Sequence, residues 1–251
     1  MSDNSTVSVV IPTCDRPTEF LGQAVSSAIS QSLPPHQIIV VDNGRKAVDA
    51  SLLPEGVILY RLTPRVGPSR ARNFGAAMAS GDLLAFLDDD DFWDEGFLKE
   101  ACAVMRKEGT RCVYGRKDVF RDNTRKPYKI PEANQITIPI LLERNPGTGG
   151  MNLVVFKELY WRVAGFDETL RVSEDRAFAL EVLKSGEKIS VAPQAIAVMR
   201  SHEGERLRRS PIARLGFVWK YRELLGFAKS ARRITSIFGK ALRQKASSLL
   251  H

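Results

Sequence analysis

Four consecutive aspartates, Asp88 to Asp91, directly follow the apolar run Leu83 to Leu87 and directly precede Phe92 and Trp93. Four adjacent carboxylates repel one another, and a cation seated among them relieves the repulsion. Mg²⁺ and Mn²⁺ suit that role, because they take oxygen ligands from one or two carboxylates and fill the remaining positions with substrate phosphates. A solvated acidic turn would have the same composition. Context favours the cation: the run ends an apolar strand, and the two aromatics hold it against the body of the protein. A second acidic pair, Glu174 and Asp175, opens a helical segment. Negative charge there is stabilised by about 0.3–1 kcal/mol, so this position alone leaves catalysis and plain helix stabilisation both open.

The elements that must position these groups alternate in type. Val7 to Pro12 reads as a buried strand, and Thr18 is placed to cap a helix over about 19–31. Strands follow at 37–41 and 57–62, then a helix from Pro68 to about Ser80 with Ala71, Phe74, Gly75 and Met78 on one side, then a strand at 83–87. Strands alternating with helices predict an α/β fold, a mostly parallel sheet with helices on both faces. In such sheets ligands bind beyond the carboxyl ends of the strands, and the clusters 13–16, 42–44 and 88–91 all fall at such ends. Beyond residue 91 the spacing predicts a helix over about 95–108 and a strand at 112–114. Residues 120–150 read as irregular. A strand at 153–156, helices near 157–163 and 174–185, and two short strands around Pro193 complete the reading.

The strings VSVVIPTCDRP, IIVVDNG and GPSRARNFGAAMASGDLLAFLDDDDFW, in that order, resemble the nucleotide-binding half of family 2 glycosyltransferases of the GT-A fold. Further on, VAGFDETLRVSEDRAFALEVLKSG is similar to the acceptor half of that family. The resemblance spans about residues 7–200 and implies an inverting transfer of sugar from a nucleotide-sugar donor, UDP-linked before other nucleotides, to an acceptor hydroxyl. It implies that Asp42 meets the nucleotide base and that Pro12, Thr13 and Asp15 line the same pocket; the family often carries Asn where Asp15 stands. Arg72 would lie near the diphosphate or brace the aspartates. Asp88 and Asp90 match the ends of the family's DxD motif, with Asp90 the direct ligand of Mn²⁺ or Mg²⁺, Asp88 beside it and Asp89 on the donor side. Asp175 would be the general base, positioned by Glu174. Gly149 and Gly150 would lie under the donor sugar or acceptor, with Asp91 and Trp93 alongside, and His202 near the metal or diphosphate. The resemblance also implies a glycan or lipid-linked acceptor of the kind used for bacterial surface polysaccharides.

Charge is unevenly placed in the 251 residues. The formal net charge is +8, and residues 204–251 hold 12 Lys and Arg against two Glu, so residues 1–203 carry −2. The expected organisation is a catalytic domain over 1–203 (nucleotide half 1–93, acceptor half 94–203) and a basic amphipathic helical tail over 204–251. Within the tail Ile234, Ile237, Phe238, Ala241 and Leu242 share one face. Such a helix suits an anionic membrane surface, the catalytic domain itself or a second copy of the chain. Three scattered cysteines, no secretory leader and no long apolar segment suggest a cytoplasmic protein, peripheral on the inner face of the membrane. A nucleic-acid-binding module is disfavoured, because the basic residues are confined to the tail and few aromatics are interleaved with them. A sugar nucleotidyltransferase would need a glycine-rich basic loop after the first strand, where Pro12-Thr13-Cys14-Asp15-Arg16 stands instead. A binding-only relative is disfavoured by the retained Asp88, Asp90 and Asp175.

Overall fold

The structure is a computed structural model and describes residues 5–129, 132–201 and 211–248. Its centre is one mixed sheet. Strands β1 (Val7–Thr13), β2 (Gln37–Asp42), β3 (Val57–Arg61) and β4 (Leu83–Phe86) are parallel in the order 3-2-1-4. The sheet continues through β8 (Leu153–Phe156), β6 (Cys112–Arg121) and β9 (Ile189–Arg200) to the short β5 (Phe92–Trp93), and β7 (Thr124–Lys129) forms a hairpin with β6. The connection out of β1 leads to β2, and the one out of β3 crosses back to β4 on the other side of β1, so a crevice opens at the carboxyl ends of β1 and β4.

Period-two alternation decides what each face of the sheet packs against. Val9, Ile11, Val40, Ala85 and Leu87 face α1 (Thr18–Ile29) and α3 (Phe97–Glu108), which bury Leu21, Val25, Leu98 and Met105. Val10, Ile39, Val41, Leu84 and Phe86 face the other layer. That layer comprises α2 (Pro68–Met78), α4 (Ile138–Glu143), α5 (Lys157–Arg162), α6 (Glu174–Lys184), α7 (Pro211–Lys220) and α8 (Arg222–Leu225). Helix α9 (Phe227–Ser248) follows them. Gly75 lets α2 lie directly on β1, since a Cβ there would run into Val10.

Several expectations are corrected. Thr18 is the first residue of α1 and not its cap; Pro17 holds the cap position without a side-chain bond. On α2, Met78 is exposed, and the buried side runs through Ala71, Arg72, Gly75 and Ala76. Residues 120–150 are not irregular throughout: β6 runs on to Arg121, β7 pairs with it, and a 3-10 turn (Ala133–Gln135) and α4 follow. Around Pro193 there is one strand with a bulge, its register against β6 shifting between Gly115 and Arg116. The tail packs on the domain, one of the alternatives open from the sequence: Phe217, Val218, Tyr221 and Leu225 belong to the same core as Phe86 and Phe178.

Candidate active site

At the end of β4 the four aspartates diverge. Asp89 turns inward under the loop after β1, where it accepts from the Cys14 backbone N–H at 3.2 Å and from Arg16 Nε at 3.1 Å. Burial pushes its carboxyl up to about 6, against the pull of Arg16. Asp91 is also buried and accepts from the Arg200 backbone N–H at 2.8 Å, tying the acidic loop to β9. Burial, then the charges of Asp90 and Asp88, raise its carboxyl well above the usual range. Of the two roles open to it, structural or sugar-contacting, its burial and this bond favour the structural one. Asp88 and Asp90 stay partly exposed, the first held by Arg72 Nη2 at 2.5 Å and the second by Arg16 Nη2 at 2.8 Å.

Arg72 joins the two halves of the site. It is 5% exposed, and its Nη1 also meets Glu174 Oε1 at 3.2 Å. Desolvation opposes its charge, but Asp88 and Glu174 outweigh that, so it is held more firmly protonated than usual. Burial and then neighbouring Asp175 raise the Glu174 carboxyl, with Arg72 opposing. Asp175 itself is buried at the first turn of α6, its Oδ2 accepting from Asn145 Nδ2 at 3.2 Å and its Oδ1 from the Arg176 backbone N–H at 2.7 Å. Asn73, beside Arg72, fixes the next segment: Nδ2 donates to the Phe166 carbonyl at 2.8 Å, and Oδ1 accepts from the Phe166 N–H at 3.0 Å.

The floor is the glycine-rich segment. Lys117, buried on β6, donates to the Thr148 carbonyl at 3.1 Å, and a Cβ at Gly149 would press on that ammonium at 2.9 Å. Gly150 opens a 3-10 turn against Arg72, and a Cβ there would stand 2.9 Å from the guanidinium carbon. Trp93 lies beneath this floor and not on it. The ring is buried, stacks on Phe97 at 4.4 Å and gives its indole N–H to the Met151 carbonyl at 2.7 Å.

The nucleotide-side residues fall at the ends of β1 and β2. Pro12 and Thr13 close β1. Asp42 is buried and braces the loop after β2, its Oδ1 accepting from the Gly44 N–H and its Oδ2 from the Val48 N–H, each at 2.8 Å, with Arg61 on the same Oδ2. A bound base would therefore share an oxygen that already holds this loop. Asp15 accepts from the Arg45 and Lys46 N–H groups at 2.6 and 3.2 Å and pairs with Arg65 at 2.8 Å. His202 lies outside the described residues.

Arg16, Lys117 and Asn145 were not singled out from the sequence. Arg16 alone carried a usable signal, a cation three residues beyond the end of a strand. As a cation site the cluster fits an oxygen-loving divalent ion. Asp88 and Asp90 are two carboxylates with exposed edges, and four carboxylates (Asp88, Asp89, Asp90 and Glu174) pair with two guanidiniums, Arg16 and Arg72. Among the described residues no group of three or more His, Cys, Asp or Glu side chains is placed to hold a metal ion by itself.

The glycosyl transferase family 2 model matches residues 8–183. The succinoglycan biosynthesis protein ExoO of Rhizobium meliloti (strain 1021) is 27% identical over 198 residues, which are 72% of this chain and 57% of that protein. The UDP-Glc:alpha-D-GlcNAc-diphosphoundecaprenol beta-1,3-glucosyltransferase WfgD of Escherichia coli is 26% identical over 166 residues, 62% of each. The chain thus spans somewhat more than half the length of these relatives. Among solved structures, S. aureus TarS 1-349 in complex with UDP-GlcNAc superposes with a TM-score of 0.67 at 19% identity, covering 93% of this chain and 71% of that one. The architecture is that of GT-A glycosyltransferases, and the chain belongs to glycosyl transferase family 2.

Proposed function

We propose that the protein is an inverting glycosyltransferase that moves a sugar from a nucleoside-diphosphate donor, with UDP preferred, onto the hydroxyl of a growing glycan or lipid-linked oligosaccharide. The observation that carries this reading is the Arg72 bridge. One buried guanidinium holds Asp88, at the end of β4, and Glu174, at the start of α6, in a single constellation. Donor-side and acceptor-side carboxylates thus face one crevice.

Asp88 and Asp90 would hold Mn²⁺ or Mg²⁺ against the donor diphosphate. Such an ion supplies Lewis-acid neutralisation of the charge that gathers on the departing nucleotide. Asp175 would accept the acceptor hydroxyl proton on the opposite side from the leaving group, as single-step inversion requires. Asn145 orients its Oδ2, and the Arg176 N–H holds Oδ1, leaving the carboxylate one preferred direction. Glu174 and Arg72 keep that pair at a fixed distance from Asp88. Gly149 and Gly150 let the floor close tightly on Lys117 and Arg72. The relatives that act in polysaccharide assembly and on a diphosphoundecaprenol acceptor support the acceptor class.

Calorimetric titration with UDP, GDP, dTDP and CDP, each with and without Mn²⁺, tests the reading. We expect one nucleotide to bind at micromolar level with Mn²⁺ and to lose that binding in Asp90→Ala. We expect Asp175→Asn to keep nucleotide affinity while transfer falls about 10²–10⁴-fold. Failure of a folded protein to bind any nucleotide would refute the transferase assignment.

A further inference from the structure

Helices α7, α8 and α9 turn two kinds of surface outward. Inward, Phe217 and Tyr221 pack on α6: the Arg176 guanidinium lies 3.5 Å from the Phe217 ring centroid, and the Tyr221 hydroxyl donates to Glu181 Oε1 at 2.9 Å. Lys220 pins the same helix to Asp167 at 2.5 Å. On α9 the inward side carries Ser230 and Ile237, seven residues apart. Outward, large apolar side chains stand in water where the helices meet. Phe227 is 91% exposed, Trp219 70% and Leu224 49%. Ile234 and Phe238, seven and eleven residues beyond Phe227, extend this stripe along α9. Nothing among the described residues covers it.

The charges beside the stripe are mainly basic, with Glu223 the exception, 3.6 Å from Arg222. Arg222, Lys229 and Arg232 are exposed, Arg222 lying 4.7 Å from the Trp219 ring centroid, and Glu223 is the one acidic residue from Arg206 onward. We propose that the α7–α8–α9 corner docks on an anionic lipid bilayer. Trp219, Leu224 and Phe227 enter the interface, and the surrounding Arg and Lys meet the lipid head groups. Aromatic and aliphatic side chains ringed by basic ones have the amphipathic make-up that a charged bilayer surface binds. A second copy of the chain is the poorer occupant, since a two-fold contact would set this basic surface against itself.

The docking itself does not depend on the catalytic reading, so its test uses no donor. The full chain is sedimented with vesicles of phosphatidylcholine alone and of phosphatidylcholine with phosphatidylglycerol, at low and at high salt. Binding is expected to the anionic vesicles at low salt and to be lost at high salt. Both Trp219→Ala/Phe227→Ala and Lys229→Glu/Arg232→Glu are expected to weaken it about tenfold. All four side chains are exposed, so both double variants should melt as wild type does, and Trp219 emission should shift to the blue on binding. Absence of binding by the folded wild type would overturn the proposal, as would full binding by Trp219→Ala/Phe227→Ala. A concentration-dependent dimer that this variant abolishes, with vesicles ignored, would assign the corner to a second copy.

Discussion

At the scale of single residues, the site is held by arginines that cannot easily move. Arg72 is caught between Asp88 and Glu174 and lies 5.2 Å from the Phe166 ring centroid. A methyl group at Gly150 would stand 2.9 Å from its guanidinium carbon, and the guanidinium has no free direction in which to yield. Gly150→Ala should therefore cost about 1–3 kcal/mol in unfolding free energy, as overpacking does. It should also lower kcat more than donor affinity, because the displaced arginine sets the distance between the two acidic groups. Denaturant melts and steady-state kinetics check both outcomes. Arg16 differs in being about one-third exposed and resting on Asp89 and Asp90. It supplies part of the positive charge a divalent ion would bring, so Arg16→Gln should bind Mn²⁺ more tightly in the absence of nucleotide, by several-fold. Calorimetry on the nucleotide-free protein reads this directly. Weaker Mn²⁺ binding would mean that Arg16 holds the aspartates in place for the metal and does not compete with it.

At the scale of elements, sequence periodicity located most of the sheet and most of the helices, because those segments bury one face or two. The β6–β7 hairpin escaped because β7 reads Thr-Arg-Lys-Pro-Tyr-Lys, polar on both faces, with nothing to alternate. Its turn did carry a signal, since Asp122 and Asn123 both take left-handed backbone angles, which a two-residue hairpin favours. The packing of the tail stayed open for the opposite reason. Its basic residues dominate the composition, while the anchoring residues Phe217, Val218 and Tyr221 are few and close together. Phe217→Ala removes a fully buried ring that covers Arg176. It should destabilise the whole domain by about 3–5 kcal/mol, in one cooperative transition shared with the sheet. A separate low-temperature melt of the tail, with the main transition unchanged, would show that α7 is not part of the core.

At the scale of the whole molecule, the order of the motifs along the chain was legible and their meeting was not. No pattern in one sequence shows that residue 72 touches residue 174, or that Asp91 turns inward while Asp90 stays at the edge. Those outcomes depend on strand order and on which carboxylates find guanidinium or backbone partners. The same partner choice governs acid stability. Burial alone would raise the Asp118 carboxyl, but Arg116, at 2.7 and 2.9 Å, and Arg125, at 2.8 Å, outweigh burial and hold it below the usual carboxylate range. Lys220 and Thr169 do the same for Asp167 where α7 is pinned. A carboxyl with a lower pKa folded than unfolded binds fewer protons in the native state. Its contribution is complete above the unfolded value near ~3.9 and is lost as pH falls through the folded value. The protein should thus hold its melting temperature from neutral pH down to about 4 as far as these groups are concerned, and lose it steeply below. Asp118→Asn keeps the shape but not the charge, and Arg125, which also grips Asp94, is left with a weaker partner. The variant should be less stable at neutral pH by about 1 kcal/mol and should show a shallower acid slope than the wild type. Melts across pH 7 to 3 measure both, and parallel curves for the two proteins would mean that Asp118 does not contribute to the acid transition.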